Sequence, residues 1–416
     1  MGMPPGDAEV QFAAGPWASL DDVPQDLLQH RNSDPYPFFA WLRRNAPLLH
    51  ERKRSGLSVW HVAGYADVRA LLSDNRLSKR PELVPMYVPG PAGLNRHLVH
   101  ADPPEHTRLR GLVNAAFIPR RVAALEPLIT RTAQELLDRL PEFGVVDLIE
   151  DFAMPLTFNL ICTILGVPDE LNTARTRQIL AETVVPSADA ARRAVQEEEL
   201  HDYLLALVAH KRAHAAAGVA EADLLGALVA AHDGSDHLGE EELIGTAYLL
   251  LLVGHDTTVN LIGNGMLALL RHPAELLRLR EEPGLMPTAI EELLRYDSPV
   301  RDATFRVSTA PVELAGGVIP AGAIVSLLIG SANRDGGYFP EPDRLDLARQ
   351  PNDHLAFGRG PHFCIGAALA RMEARVAFGL LLARCPRLSL AFRVEDLRWR
   401  PSRVMRGLER LPVMLG

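Results

Sequence analysis

The stretch Ala356–Gly366, AFGRGPHFCIG, decides how the rest of the chain is read. It places Cys364, one of only three cysteines, among Gly358, Gly360 and Gly366. Glycines let a backbone approach something large and flat and reach φ values closed to other residues. The residues that follow, IGAALARMEARVAFGLLLAR, have helical spacing, so Cys364 stands just ahead of a helix N-terminus. Unpaired N–H groups and the positive end of the helix dipole stabilise an anion there. A cysteine in that place favours its thiolate. On the residues alone three readings stand. Cys364 is a small buried residue at a helix start. It is a zinc ligand with His354 and His362, although no CxxC or HExxH partner accompanies it. Or it is a nucleophile with His362 as base, although no third member declares itself.

The bulk numbers narrow the field. A chain of 416 residues with 47% hydrophobic composition can bury a sizeable core, and length alone points to two or three domains. A formal net charge of −9 weighs against general affinity for nucleic acid or anionic membranes. Lysine is confined to Lys53, Lys79 and Lys211, which reflects coding composition more than a binding surface. Cys162, Cys364 and Cys385 are too scattered for a disulfide framework, and a reducing compartment fits. The N-terminal MGMPPGDAEVQFAAGPWASL lacks the basic and apolar blocks of a signal peptide. The best candidate for a membrane span, AYLLLLVGHDTTVNLIG, is interrupted by His255 and Asp256. The expectation is a soluble, cytoplasmic protein that engages neither membrane nor nucleic acid.

Helical periodicity covers roughly 120–140, 190–217, 240–271, 286–296 and 366–384. Strand-like runs are short: LSVWHVA from 57, VELAGGVIPAGAIVSLL from 312 and the last residues. Gly316-Gly317 and Pro320–Gly322 predict a hairpin near 312–328. Pro/Gly-rich loops occupy 81–93 and 334–363. Strands near the two ends with helices between predict a mainly α chain with small β-sheets, an α+β class.

Phe357-Gly358-Arg359-Gly360-Pro361-His362-Phe363-Cys364-Ile365-Gly366 resembles the haem-ligand signature FGxGxHxCxG of the cytochrome P-450 superfamily, without a mismatch. The resemblance runs from about residue 20 to the end. It implies the P-450 fold, a triangular haem-containing single domain over 21–416 behind an N-terminal tail of 1–20. That replaces the length-based guess of two or three domains. It implies haem b (iron protoporphyrin IX), with Cys364 as the axial thiolate of the iron, Gly366 beside it and Phe357 packed under the ring. A thiolate ligand pushes electron density to iron and favours O–O cleavage.

Other motifs can be read both ways. Glu292 and Arg295, in EELLRYDSP, are on their own an ordinary i,i+3 surface pair. The resemblance makes them a buried structural network with an arginine ahead of the cysteine loop, assigned here to Arg344. In LLLLVGHDTTVNLIG, Leu249, Val253 and Thr257 share one helix face. The plain account has Thr257 bonding back to the Val253 carbonyl and Asp256 reaching solvent or an arginine. The resemblance makes this the oxygen-activating helix: Gly254 leaves space for dioxygen, Thr257 hydrogen-bonds it, and Asp256 relays protons. His106 and Arg110, four apart on a predicted helix, match haem-propionate contacts of the family, as do His362 and Arg306.

By family position Leu249, Val253, Val300, Arg301, Val404 and Met405 line the substrate pocket, together with segments 80–98 and 170–190. The lining is largely apolar, which suits a bulky, poorly polar small molecule. Arg301 either meets a carboxylate or sugar or is a rim arginine, paired with Asp302 or pointing to solvent. The implied reaction is insertion of one oxygen atom from O2 into a C–H bond, by hydroxylation or epoxidation. The expected substrate is a natural product, a polyketide macrolide of secondary metabolism, with steroid or terpenoid hydroxylation as the runner-up. Electrons come from NAD(P)H through a ferredoxin reductase and a ferredoxin docking near Arg108, Arg110, Arg359 and Arg371. A peroxide-driven peroxygenase and a non-catalytic haem protein are the further alternatives.

Overall fold

The computed structural model describes residues 18–53, 55–87, 90–91, 93–114, 117–173, 175–176, 178–179, 190–217, 223–230 and 238–416. Five helices position the site: α1 (Glu105–Asn114), α2 (Met154–Leu165), α3 (Glu240–Arg271), α4 (Met286–Tyr296) and α5 (Ala367–Arg384). A further long helix spans Ala190–Ala216. The helical periodicities at 190–217, 240–271, 286–296 and 366–384 thus match to within a residue or two. The run at 120–140 is two helices, Pro119–Ala124 and Glu126–Arg139. Pro127 sits at the second position of the latter, where its missing N–H costs no helical bond.

The strands are β1 (Ala18–Ser19), β2 (Leu48–Arg52), β3 (Ser58–Val62), β4 (Leu77–Ser78), β5 (Gly144–Asp147), β6 (Arg306–Ser308), β7 (Val312–Leu314), β8 (Gly317–Ile319), β9 (Ile324–Leu327), β10 (Ser389–Leu390) and β11 (Pro412–Leu415). The largest sheet runs β1-β2-β3-β9-β6-β4, a smaller one β10-β11-β5, and β7-β8 is a hairpin. The expected hairpin near 312–328 is therefore tighter than drawn: β7 and β8 pair with each other, while β9 leaves to lie parallel to β3. Ala18 and Ser19 pair in parallel with Leu49 and His50, so the end of the supposed tail is stitched into the sheet.

Helix α3 is the axis of the molecule. Glu242 accepts from the Gly239 amide at 2.8 Å and closes its N-terminus; His272-Pro273 follows its last residue. At 32 residues it is about 48 Å long by the ordinary helical rise. It runs through two apolar cores. Leu243 to Leu251 belong to one, built with α2 and the Ala190–Ala216 helix. Val259 to Leu269 belong to the other, built with α4 and α5. The polar segment Gly254–Thr258 falls at the seam between them, with Phe158 and Ile161 of the first core against its Gly254–His255 side. A third core lies under the large sheet. Among the described residues, the helical stretch apolar and long enough to cross a bilayer is Leu148–Leu165, not the α3 segment that was the best candidate in the sequence; 67% of it is buried inside the molecule.

Candidate active site

The cysteine loop has the backbone its glycines predict. Gly358 and Gly360 adopt φ of +70° and +73°, in the region that a side chain disfavours. A Cβ on Gly360 would also stand 2.4 Å from Ser73 Oγ. A single 3-10 turn, Gly360–His362, brings the chain round so that the Cys364 amide donates to Phe357 O at 2.9 Å. Gly366 then caps α5. Burial pushes the Cys364 thiol up, while the Gly366 amide, Arg110 and Arg371 pull it the other way. Burial outweighs the helix terminus, contrary to the simple expectation from position. A sulfur that is buried yet surrounded by positive groups is suited to binding a cation as thiolate.

Arg110 donates to Pro361 O and Phe363 O, at 2.9 and 2.7 Å. Two of its arms thus brace the cysteine loop, and its charge reaches the sulfur. The Arg371 guanidinium covers the Phe357 ring at 4.4 Å from its centroid and is held in a fork by Glu291. Phe357 is partly buried at the edge of the α4–α5 core.

Behind the loop the charges are saturated. Glu292 and Arg295 are both fully buried on α4 and meet in a bidentate pair at 2.7 and 2.8 Å. The remaining arm of Arg295 donates to Asn333 O and Pro342 O. The third member is Arg349, not Arg344: Arg349 Nε donates to both Glu292 oxygens, at 3.2 and 3.1 Å. The Arg344 side chain points outward to Glu341, and only its carbonyl serves the network. Both arginines lie in the same loop ahead of Cys364, and the motif spacing did not separate them.

Beside the loop the opposite holds. His106 and His362 lie 4.2 Å apart between ring centroids, and His106 Nε2 and His362 Nδ1 have no hydrogen-bond partner. Lys79 is 1% exposed, its ammonium held by Thr304 and by Phe305 O. Arg306 donates to Thr304 O at 2.9 Å and is equally buried. Burial, then His106, Lys79, Arg306 and Arg110, hold His362 down at about 2. Burial brings Arg306 down to about 10 and Lys79 well below its ordinary value. Asp102, which accepts from the Lys79 amide and Ser78, is the carboxylate near Lys79 and His106. Neither the Lys79 ammonium nor the Arg306 guanidinium has a hydrogen bond to it, so the cluster suits a further anionic partner. The two propionates of a haem placed against Cys364 have that chemistry, so the residues present fit the group. Lys79 escaped the sequence reading; nothing in RLSKR marks it as buried.

On α3, Thr257 Oγ1 donates to Val253 O at 3.0 Å, as the plain account expects. Asp256 is 1% exposed and is paired with Arg400 and, at 3.2 Å, with Asn260 Nδ2. Gly254 does not leave room for a small molecule. A Cβ there would lie 2.7 Å from Ile161 Cδ1, so this glycine lets α2 pack against α3. Val253 is 43% exposed in the middle of this otherwise buried helix. Leu249 is buried in the upper core. Val300 forms an isolated bridge with Met405, and Val404 O accepts from the amides of Arg301 and Asp302.

Arg301 is neither a carboxylate receptor nor a rim arginine. It is 9% exposed, and its guanidinium donates to the carbonyls of Arg31, Ser402 and Arg403 and to Asn32 Oδ1. Its role is to tie the 402–404 loop to the N-terminal region. Of the two segments expected in the pocket, residues 88, 89, 92, 174, 177 and 180–189 lie outside the described residues. The proposed docking arginines are also mostly engaged: Arg108 with Glu242, Arg110 with the cysteine loop and Arg371 with Glu291, while Arg359 is exposed.

The family model described as Cytochrome P450 matches residues 28–390. The chain is 42% identical to the cytochrome P450 monooxygenase PikC of Streptomyces venezuelae, covering 96% of this chain and 95% of that protein. It is 42% identical to the vitamin D(3) 25-hydroxylase of Pseudonocardia autotrophica, over 92% and 94% of the two chains. The solved structure of the Bacillus subtilis 168 bacillaene polyketide synthase cytochrome P450 PksS superimposes with a TM-score of 0.86 at 35% identity, over 93% and 98%. The chain belongs to the cytochrome P450 family. It is a monooxygenase, and its cofactor is haem.

Proposed function

We propose that this P450 inserts one oxygen atom of O2 into a C–H bond, by hydroxylation or epoxidation, of a bulky apolar natural product of the polyketide class. The cysteine loop is the observation that carries the chemistry. Cys364 would hold the haem iron, and His106, His362 and Arg306 would receive the propionates. Bound there, haem supplies the activation of dioxygen. The chain's own residues position and protonate. Asp256, on a buried turn, takes a proton and passes it to Thr257, whose hydroxyl stands beside the exposed Val253 side chain on the same face. Leu249, Val253, Val300, Val404 and Met405 present apolar surface to the substrate and keep water from the reacting carbon.

The polyketide reading is supported by this apolar lining and by likeness to the polyketide synthase P450 of Bacillus subtilis. Steroid or terpenoid hydroxylation is the second reading, favoured by the vitamin D(3) 25-hydroxylase relative. Electrons are supplied by NAD(P)H through a reductase and a ferredoxin; with Arg108, Arg110 and Arg371 engaged, exposed Arg359 is the arginine left for an acidic partner to meet. The test is titration of the purified ferric protein with macrolactones, steroids and terpenoids, reading the Soret band. A low-spin to high-spin shift with one class selects it. A thiolate-haem spectrum with no shift from any class removes the substrate readings and leaves the haem chemistry. Product formed faster with hydrogen peroxide alone than with ferredoxin, reductase and NADPH would replace the monooxygenase by a peroxygenase.

A further inference from the structure

The carboxylate assigned to proton relay is not open to its neighbours. Arg400 Nη1 pairs with Asp256 Oδ1, and Arg400 Nη2 donates to Asn260 Oδ1 at 3.2 Å. Asn260 Nδ2 in turn donates to Asp256 Oδ2 at 3.2 Å. The three side chains close a ring of hydrogen bonds. Arg400 belongs to the segment 397–408, which folds back on itself: the Arg400 amide donates to Gly407 O at 2.9 Å, Arg400 Nε donates to Leu408 O at 3.3 Å, and Trp399 bridges Leu408. Gly407 is pressed onto the ring, since a Cβ there would stand 1.9 Å from Asn260 Oδ1. The far end of the same segment carries Val404 and Met405, half-buried and bridged to Val300.

We propose that Arg400 is a positioning residue that locks Asp256 at rest, and that displacement of the 397–408 segment unlocks it, so that proton delivery follows the state of the substrate-facing loop. A carboxylate held by a guanidinium through one oxygen and by an amide through the other has both oxygens engaged and its orientation fixed. It can take a proton from water and hand one to Thr257 only after that clasp opens. No bond other than these hydrogen bonds changes, and the proton taken up equals the proton given. The inference rests on the relay reading of Asp256, and the experiment separates the two.

Two measurements on the haem-loaded protein test it. The first is hydrogen exchange of the amides in 398–408 in wild type and Asp256→Asn. Faster exchange in the variant is expected; unchanged exchange shows that no clasp joins helix and loop, and overturns the proposal whatever Asp256 does. The second is NADPH oxidation without substrate, driven by spinach ferredoxin and its reductase. Arg400→Gln should raise the rate several-fold, Arg400→Lys should restore most of the restraint, and Arg400→Gln in an Asp256→Asn background should add nothing. A rise that persists in that background marks a merely structural arginine and overturns the proposal. If Arg400→Gln has no effect while Thr257→Ala alters the rate, the lock is wrong and the relay stands. If neither has an effect, the relay reading fails and the lock with it.

Discussion

The polar groups behind the cysteine loop and those beside it obey opposite rules. Glu292, Arg295 and Arg349 satisfy one another and the surrounding carbonyls almost completely. Of Glu373, His106 and His362, by contrast, each has one buried polar atom without a partner. The first arrangement is what a fold needs to bury charge at tolerable cost. The second is costly for the polypeptide alone and makes sense where something else completes it.

Substitutions can break this contrast. Glu292→Ala leaves Arg295 and Arg349 buried without their carboxylate. We expect a loss of about 3–5 kcal/mol, read by chemical denaturation of the haem-loaded protein. A loss within about 0.5 kcal/mol, the range of an ordinary surface change, would mean the network is not scaffold. Next comes Glu373, fully inside the protein and hydrogen-bonded to Thr258, whose carboxyl burial pushes up from 4.5 to about 8. Its folded value lies above its unfolded one. Its contribution is therefore fully present below pH 4.5 and lost as pH rises towards about 8. Wild type should lose stability relative to Glu373→Gln by up to about 1.4 kcal/mol per pH unit across that window. Parallel profiles would show that Glu373 is satisfied after all.

Gly254→Ala drives a methyl into Ile161 and should cost about 1–3 kcal/mol. Wild-type stability in that variant would restore the view that this glycine leaves free space. Thr257→Ala should change stability by no more than about 0.5 kcal/mol, because its hydroxyl only bonds back along the helix. It should nonetheless lower product formed per NADPH consumed by about tenfold or more, the scale of lost proton-transfer catalysis. An unchanged ratio removes the relay. Arg344→Ala, on the outside, should be silent in both assays.

The sequence made the scaffold legible where one physical rule dominates. Helical periodicity placed α3, α4 and α5, and the Gly358–Gly360 spacing predicted the positive φ of the cysteine loop. The short strands β2 and β5 went unread, because two sheets of short strands leave little period-two signal. The site was harder where identity depends on which of two similar residues turns inward. Arg344 and Arg349 are five apart in one loop, and only the fold selects Arg349. Arg301 looked like a rim charge until four carbonyl and amide oxygens claimed it. Lys79 and Arg400 had no local signature, since their burial is set by segments more than a hundred residues away.

The scarcity of lysine, noted first as a matter of composition, has a practical side. Lys79 and Lys211 are buried, and Lys53 keeps 23% of its side chain accessible beside Glu51. Among the described residues, amine-directed labels, surface coupling and lysine cross-linkers therefore have one reachable lysine, far along the chain from the cysteine loop. A dye or support attached through Lys53 would give the protein nearly a single orientation without any engineered handle.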